Sequence, residues 1–183
     1  MIIEIKDQSL EMSSAPGLFS PAHADRGTLA MLSQVEFLPG QRVMDLGCGW
    51  GLVGVLAARI CGEENVFMCD IDPNAVNTAR ENAVRNGVGG VSICVSDGFK
   101  SVDAAGFDLI LSNPPYQTDF SVAKSFIEKG FNRLKSGGWM YLVVKREKWY
   151  LNKMRAVFGG ARSVEVDGYY IISAQRRAAA RGK

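Results

Sequence analysis

Asn113-Pro114-Pro115-Tyr116 follows directly on the apolar run Phe107-Asp108-Leu109-Ile110-Leu111-Ser112, joining a carboxamide, two rigid prolines and an aromatic ring. Proline cannot donate to a sheet ladder and biases its predecessor away from helix, so the tetrad ends a strand and holds Asn113 extended. An exocyclic amine conjugated to a π system is a poor nucleophile because its lone pair is delocalised. The Asn113 carboxamide oxygen and the Pro114 carbonyl can accept both amine hydrogens, orient the lone pair and stabilise positive charge as it builds. Tyr116 offers a face on which a planar base stacks. Asn113, Pro114, Pro115 and Tyr116 are therefore the candidate catalytic residues. Taken alone, the tetrad also reads as a plain turn with a surface aromatic.

Upstream, Val43-Met44-Asp45-Leu46 runs into Gly47-Cys48-Gly49-Trp50-Gly51. Glycines at 47, 49 and 51 permit a tight turn in which backbone N–H groups and a helix start can face an anion such as a carboxylate. Asp45, just inside the strand end, is placed to attract an ammonium. Asp70 comes 21 residues after Gly49, and a carboxylate there can accept from both hydroxyls of a ribose. Ile71 would then pack against adenine, and Asp97, beside Gly98, would accept from the adenine amine. S-adenosylmethionine presents such a carboxylate, ammonium, ribose and adenine, and together with the tetrad these positions suggest methyl transfer to nitrogen. Gly49-Trp50-Gly51-Leu52-Val53-Gly54 also satisfies the dinucleotide pattern G-x-G-x-x-G. Against a nicotinamide cofactor stand the start of the turn at Gly47, behind Asp45, and the tetrad at the later strand end.

These residues need a frame that ends several strands on one rim. From residue 43 the chain alternates short apolar strands (43–46, 65–70, 91–95, 107–112 and 138–145) with helical patterns, which predicts an open parallel sheet covered on both faces. Helices are expected over 52–61, 73–86, about 120–134 and 148–158, the second with Asp72 as cap and Pro73 at its first position. Lys135-Ser136-Gly137-Gly138 reads as a left-handed helix exit. Ser163 to Ile172 reads as two strands joined at Asp167-Gly168 by a type I′ turn, an antiparallel edge. Residues 2–12 predict a small hairpin and 16–25 a loop.

A chain of 183 residues, 47% hydrophobic, suits one well-buried core, so a single domain is expected: residues 1–30 hairpin and loop, 31–175 core, 176–183 basic tail. The tail, with Arg176, Arg177, Arg181 and Lys183, can touch phosphate or be a solvated terminus. Lys145, Arg146, Lys148, Lys153 and Arg155, interleaved with Trp149 and Tyr150, suit RNA or form a solvated helix face. Cys48, Cys61, Cys69 and Cys94 have no Cys-x-x-Cys spacing, and His23 is the only histidine, so reduced thiols and no metal are expected. No export signal is evident, and no apolar stretch reaches the roughly 20 residues that span a bilayer, which predicts a cytoplasmic protein without membrane contact.

Asp45-Leu46-Gly47-Cys48-Gly49-Trp50-Gly51, Asp70-Ile71-Asp72-Pro73-Asn74-Ala75-Val76, Asn82 and Asn113-Pro114-Pro115-Tyr116 resemble the class I amino-methyltransferases. Gly17-Leu18-Phe19-Ser20, Asp25-x-Gly27-Thr28, Leu134-Lys135-Ser136-Gly137-Gly138 and Gly168-Tyr169-Tyr170-Ile171 are similar, more narrowly, to the small-domain family related to small-subunit ribosomal RNA guanine-N2 methyltransferases. The resemblance covers about residues 16 to 175. It implies a Rossmann-like, seven-stranded, mostly parallel α/β sheet with an antiparallel C-terminal hairpin, S-adenosylmethionine as cofactor, Phe19 closing its pocket, and guanine N2 of ribosomal RNA as acceptor. In that family Asn-Pro-Pro is commonly followed by Phe or another apolar residue. Tyr116 is instead what adenine, cytosine and glutamine amino-methyltransferases often carry. Adenine N6 or a protein glutamine thus stays open as the target, as does a non-catalytic cofactor- or RNA-binding module, acting as monomer or homodimer.

Overall fold

Apolar runs bounded by glycine and proline form the strands of the computed structural model, which describes residues 1–14, 24–115 and 120–178. β1 (Ile2–Ile5) and β2 (Gln8–Glu11) make a hairpin, and α1 (Arg26–Gln34) leads towards the sheet. There follow β3 (Val43–Leu46), α2 (Leu52–Cys61), β4 (Val66–Asp70), α3 (Pro73–Arg85), β5 (Ser92–Val95), β6 (Phe107–Ser112), α4 (Phe120–Arg133), β7 (Leu134–Val144), α5 (Glu147–Phe158), β8 (Arg162–Val166) and β9 (Tyr169–Gln175). The seven-stranded sheet has the order β5-β4-β3-β6-β7-β9-β8. β5 through β7 are parallel, and β9 is antiparallel to both neighbours. The expected Rossmann-like architecture with its antiparallel hairpin is the one observed. Asp167 and Gly168 carry φ of 51° and 77°, the two left-handed central residues of a type I′ turn.

Strand order reverses between β3 and β6: successive strands run outward to β5 on one side and to β7 on the other. Ligands of open parallel sheets bind in the crevice that this reversal leaves beyond the carboxyl ends of the strands. Side chains alternate across the sheet. Val43, Leu109 and Leu111 pack with α1, α2 and α3 on one face, while Met44, Leu46 and Ile110 pack with α4 and α5 on the other. By the same period of two, Asp45 lies on the α2 face.

The β1–β2 hairpin is docked by two asparagines, Asn82 of α3 and Asn86 at its C-cap, that imitate a strand edge. Asn86 accepts from Glu11 N at 2.9 Å and donates to Glu11 O at 2.8 Å. Asn82, fully buried, accepts from Ser13 N and donates to the carbonyls of Ser13 and Trp50, each at 2.8 Å. Asn82 thereby ties the hairpin, α3 and the glycine-rich turn together. Asn82→Ala leaves those buried groups unpaired and is expected to cost about 2–4 kcal/mol of unfolding free energy. Val84, exposed on the same helix, is the control: Val84→Ala should stay within about 0.5 kcal/mol by denaturant titration.

Three expectations are corrected. Residues 26–34 are a helix capped by Asp25, so the boundary expected between residues 30 and 31 falls inside α1. β7 begins at Leu134 rather than 138, and Gly137, φ 85°, belongs to the strand and not to a helix exit. There β7 slips against β6, pairing Leu134 with Phe107 but Trp139 with Leu109, and the surplus residues bulge. Arg176 is no free tail cation: it donates to Leu134 O at 2.5 Å, at the start of β7 and the opposite rim from the crevice. Residues 179–183 lie outside the described part.

Candidate active site

A cavity of about 380 Å³ opens at the strand reversal, within the size range of small-molecule sites. Asp45 lines it from within β3, Gly47, Cys48 and Gly49 from the turn that follows, and Asp70 and Ile71 from the end of β4. Asp97 and Gly98 contribute from beyond β5, and Asn113, Pro114 and Pro115 from beyond β6. β3 and β6 pair directly, Asp45 opposite Leu111, so the glycine turn and the Asn-Pro-Pro segment leave adjacent strands side by side. Ser112 Oγ donates to Leu46 O at 2.6 Å and fastens the two strand ends together. Phe19 and Tyr116, also expected here, lie outside the described residues.

The glycine turn is built differently from its expected role. Gly47 and Cys48 N–H both bond to Cys69 O at 2.9 Å, Gly51 N–H to Cys48 O at 2.9 Å, and Gly49 N–H to Asp70 Oδ2 at 2.8 Å. The first two and the last hold the turn against the end of β4, the Gly51 N–H closes the turn on itself, and the carboxylate that Gly49 faces is the protein's own Asp70, so these donors are taken up within the chain and not by a ligand anion. The donors left for one are at the helix start, where Leu52 and Val53 occupy positions with no intrahelical acceptor. Gly51 caps the helix with φ 89° and sits against Ala79, and a Cβ at Gly54 would lie 2.0 Å from Met68 Sδ. The glycine at 51 therefore serves close packing against α3, and that at 54 close packing of α2 on β4, as much as access.

Asp45 is 3% exposed and accepts from Gly54 N–H at 2.9 Å. Burial, partly offset by that bond and reinforced by the nearby Asp70 charge, pushes its carboxyl up to about 7. A buried carboxylate with no cationic partner among the described residues fits an incoming ammonium. Asp70 accepts from Gly49 N–H with one oxygen and from Asp72 N–H with the other, at 3.0 Å, leaving a second lone pair on each. Ile71 is 66% exposed at the cavity wall, an apolar face suited to a flat ring. Asp97 is exposed and hydrogen-bonded by Lys100 Nζ at 2.5 Å, which holds its carboxyl below the usual range. Burial pushes the Cys48 thiol well up, and that of Cys69 up to about 12, so both are neutral wall and not nucleophiles.

Asp25, Thr28, Val122 and Phe126 also line the cavity and carried no site role from the sequence. Phe126 of α4 lies beneath the backbone of Gly47 and Gly98, where added Cβ atoms would sit 3.9 and 3.1 Å from its ring. The signals available for Asp25 and Thr28 were their spacing of three residues, that of a helix N-cap, and the place of Asp25-x-Gly27-Thr28 in the family resemblance.

Lys145 and Arg146 follow β7, the strand beside β6, and are exposed on the same rim as Asn113. Lys145 lies 5.0 Å from the ring of Tyr169. Phe120, 39% exposed, stacks on Trp149 with centroids 4.2 Å apart, next to these cations. Tyr150 is buried beneath that pair, and Lys153 is ion-paired with Glu128, so neither belongs to an RNA-facing set. Among the described residues no three His, Cys, Asp or Glu side chains form a metal cluster, and no helix is long and apolar enough to cross a membrane.

The model of the family described as methyltransferase small domain matches residues 9–173. The chain is 34% identical over 181 residues to ribosomal RNA small subunit methyltransferase C of Pseudomonas putida (strain W619), covering 95% of this chain and 54% of that one. The protein of the same name from Pseudomonas aeruginosa (strain UCBPP-PA14) is 32% identical, with 53% of its length covered. The chain thus spans about half the length of the curated relatives it matches. Among solved structures, a T. thermophilus 16S rRNA N2 G1207 methyltransferase in complex with AdoMet and guanosine superposes with TM-score 0.87 at 25% identity, over 97% of this chain and 50% of that one. An RNA methyltransferase from Salinibacter ruber in complex with S-adenosyl-L-homocysteine, 21% identical, shares the fold with TM-score 0.66 over 88% of this chain and 98% of that one.

Proposed function

The chain belongs to the methyltransferase small domain family, and we propose that it transfers a methyl group from S-adenosylmethionine to an exocyclic amine, guanine N2 of ribosomal RNA. The observation that carries this reading is the pairing of β3 with β6, which sets the glycine turn and Asn113 on one cavity wall. The names of its relatives, and the guanosine bound by the T. thermophilus protein, support guanine in RNA as the acceptor.

The cofactor supplies an electrophilic methyl on a sulfonium centre. Asp45 binds its ammonium, the α2 start its carboxylate, Asp70 its ribose, and Ile71 and Asp97 its adenine. The Asn113 oxygen and the Pro114 carbonyl accept the two amine hydrogens, aligning the lone pair and stabilising the charge that develops on nitrogen. No strong base is required, because the proton can leave after transfer. Lys145, Arg146, Lys148 and the Phe120–Trp149 stack receive phosphate and base on the outer rim.

Incubation of the chain with S-adenosylmethionine and unmodified small-subunit RNA, followed by mass spectrometry of the nucleosides, should yield N2-methylguanosine. N6-methyladenosine, or methylated glutamine in a ribosomal protein, would move the acceptor. Tight calorimetric binding of NAD with none of S-adenosylmethionine would overturn the cofactor. Asp70→Ala should weaken S-adenosylmethionine binding by about 1–3 kcal/mol, the scale of a lost charged hydrogen bond. Equal affinity in variant and parent would remove Asp70 from the site.

A further inference from the structure

We infer that Asp25 is a positioning residue, whose carboxylate fixes which end of the Asn113 carboxamide faces the reaction. Asn113 Nδ2 donates to Asp25 Oδ2 at 2.8 Å and to Thr28 Oγ1 at 3.0 Å. The same Asp25 oxygen caps α1, accepting from Thr28 N at 2.7 Å and from Thr28 Oγ1 at 3.2 Å. The two Asn113 contacts join residues 88 and 85 apart in the chain. They place the N-terminus of α1 against the segment that follows β6.

A carboxamide is nearly symmetric in shape and opposite in polarity at its two ends, so a half-turn about its last torsion exchanges donor for acceptor at almost no steric cost. Packing alone cannot choose between the two orientations. An ionised carboxylate can, because it only accepts. With Asp25 on one side, the Asn113 nitrogen is turned towards α1 and its oxygen away from it. The Thr28 hydroxyl reinforces the choice, giving its one proton to Asp25 and accepting from Asn113. Gly27 makes room for the arrangement: a Cβ there would lie 2.9 Å from the Tyr169 ring and 3.0 Å from Asp25 Oδ2.

The catalytic consequence rests on the methyl-transfer reading above, since only an amine acceptor requires an oxygen at that point. A flipped carboxamide would aim N–H at N–H and repel the substrate amine. Asp25 acts through Asn113 and need not touch the substrate.

The test separates helix capping from amide orientation. Serine caps helices about as well as aspartate, so Asp25→Ser should keep the melting temperature within a few degrees while leaving Asn113 without its anionic acceptor. Exchange of the Asn113 side-chain amide protons, followed by NMR, should accelerate about tenfold or more, and turnover should fall about tenfold with unchanged affinity for S-adenosylmethionine. In an Asn113→Ala background the same Asp25→Ser change should alter turnover less than about twofold, because the group it orients is gone. Unchanged amide exchange, or an equal loss of turnover in both backgrounds, overturns the inference. If the parent chain methylates no RNA, it is the proposed function that fails, and amide exchange alone still decides whether Asp25 holds Asn113.

Discussion

Asn113→Ala is expected to lower turnover about 100-fold or more while affinity for S-adenosylmethionine stays within about twofold. The asymmetry follows from where Asn113 sits. It leaves β6, whereas the acids assigned to the cofactor belong to the ends of β3, β4 and β5, so its removal strips the acceptor amine of its orientation while every one of those acids stays in place. Single-turnover kinetics beside calorimetry would measure both quantities on one preparation. Unchanged turnover would take Asn113 out of the mechanism, and an equal loss of cofactor affinity would make it a structural residue. Asn113→Asp, although nearly isosteric, should be no milder. It would set a second carboxylate at the 2.8 Å contact with Asp25, where one must hold a proton for both to remain.

That contact also shows where sequence patterns stop. The strands ending at Leu46, Asp70, Val95 and Ser112 were legible because each is a short apolar run closed by glycine, aspartate or proline, and the Asp167-Gly168 turn was legible from its type I′ chemistry. α1 was not legible: it is nine residues long, has Gly27 in its first turn and follows a stretch rich in turn-forming residues, so its few buried positions, Ala30 to Leu32, give a weak period. The inward bonding of Gly47, Cys48 and Gly49 was equally hidden. A glycine-rich turn announces tight backbone, but whether its N–H groups face a ligand or the next strand depends on Cys69 and Asp70, which local spacing does not place. Asp25 and Asn113 meet only because α1 packs on the β7 side of the sheet. What the sequence showed was chemistry in local words; the pairing of those words came from tertiary contact.

Asp45 carries the second large expected effect, and it is one of pH. In the cofactor-free protein its carboxyl, pushed by burial from 3.8 to about 7, binds a proton more tightly folded than unfolded. The stability this confers is complete below about pH 3.8 and is lost as pH rises through about 7, a swing of roughly 4 kcal/mol at about 1.4 kcal/mol for each unit. Asp45→Asn keeps an oxygen for the Gly54 N–H and has nothing to ionise, so its unfolding free energy should lack this descent and exceed that of the parent at pH 8. Binding runs the other way. The ammonium of S-adenosylmethionine wants the ionised carboxylate, so affinity should rise as pH passes through about 7 and fall about tenfold for each unit below it, with proton release seen in calorimetry across buffers of different ionisation enthalpy. Asp45→Asn should weaken binding about 100-fold at pH 8 and flatten that profile, since one partner of a buried charge pair has been removed. A variant both less stable than the parent at pH 8 and equal to it in cofactor affinity would mean that Asp45 is ionised without a ligand and that the ammonium is held elsewhere.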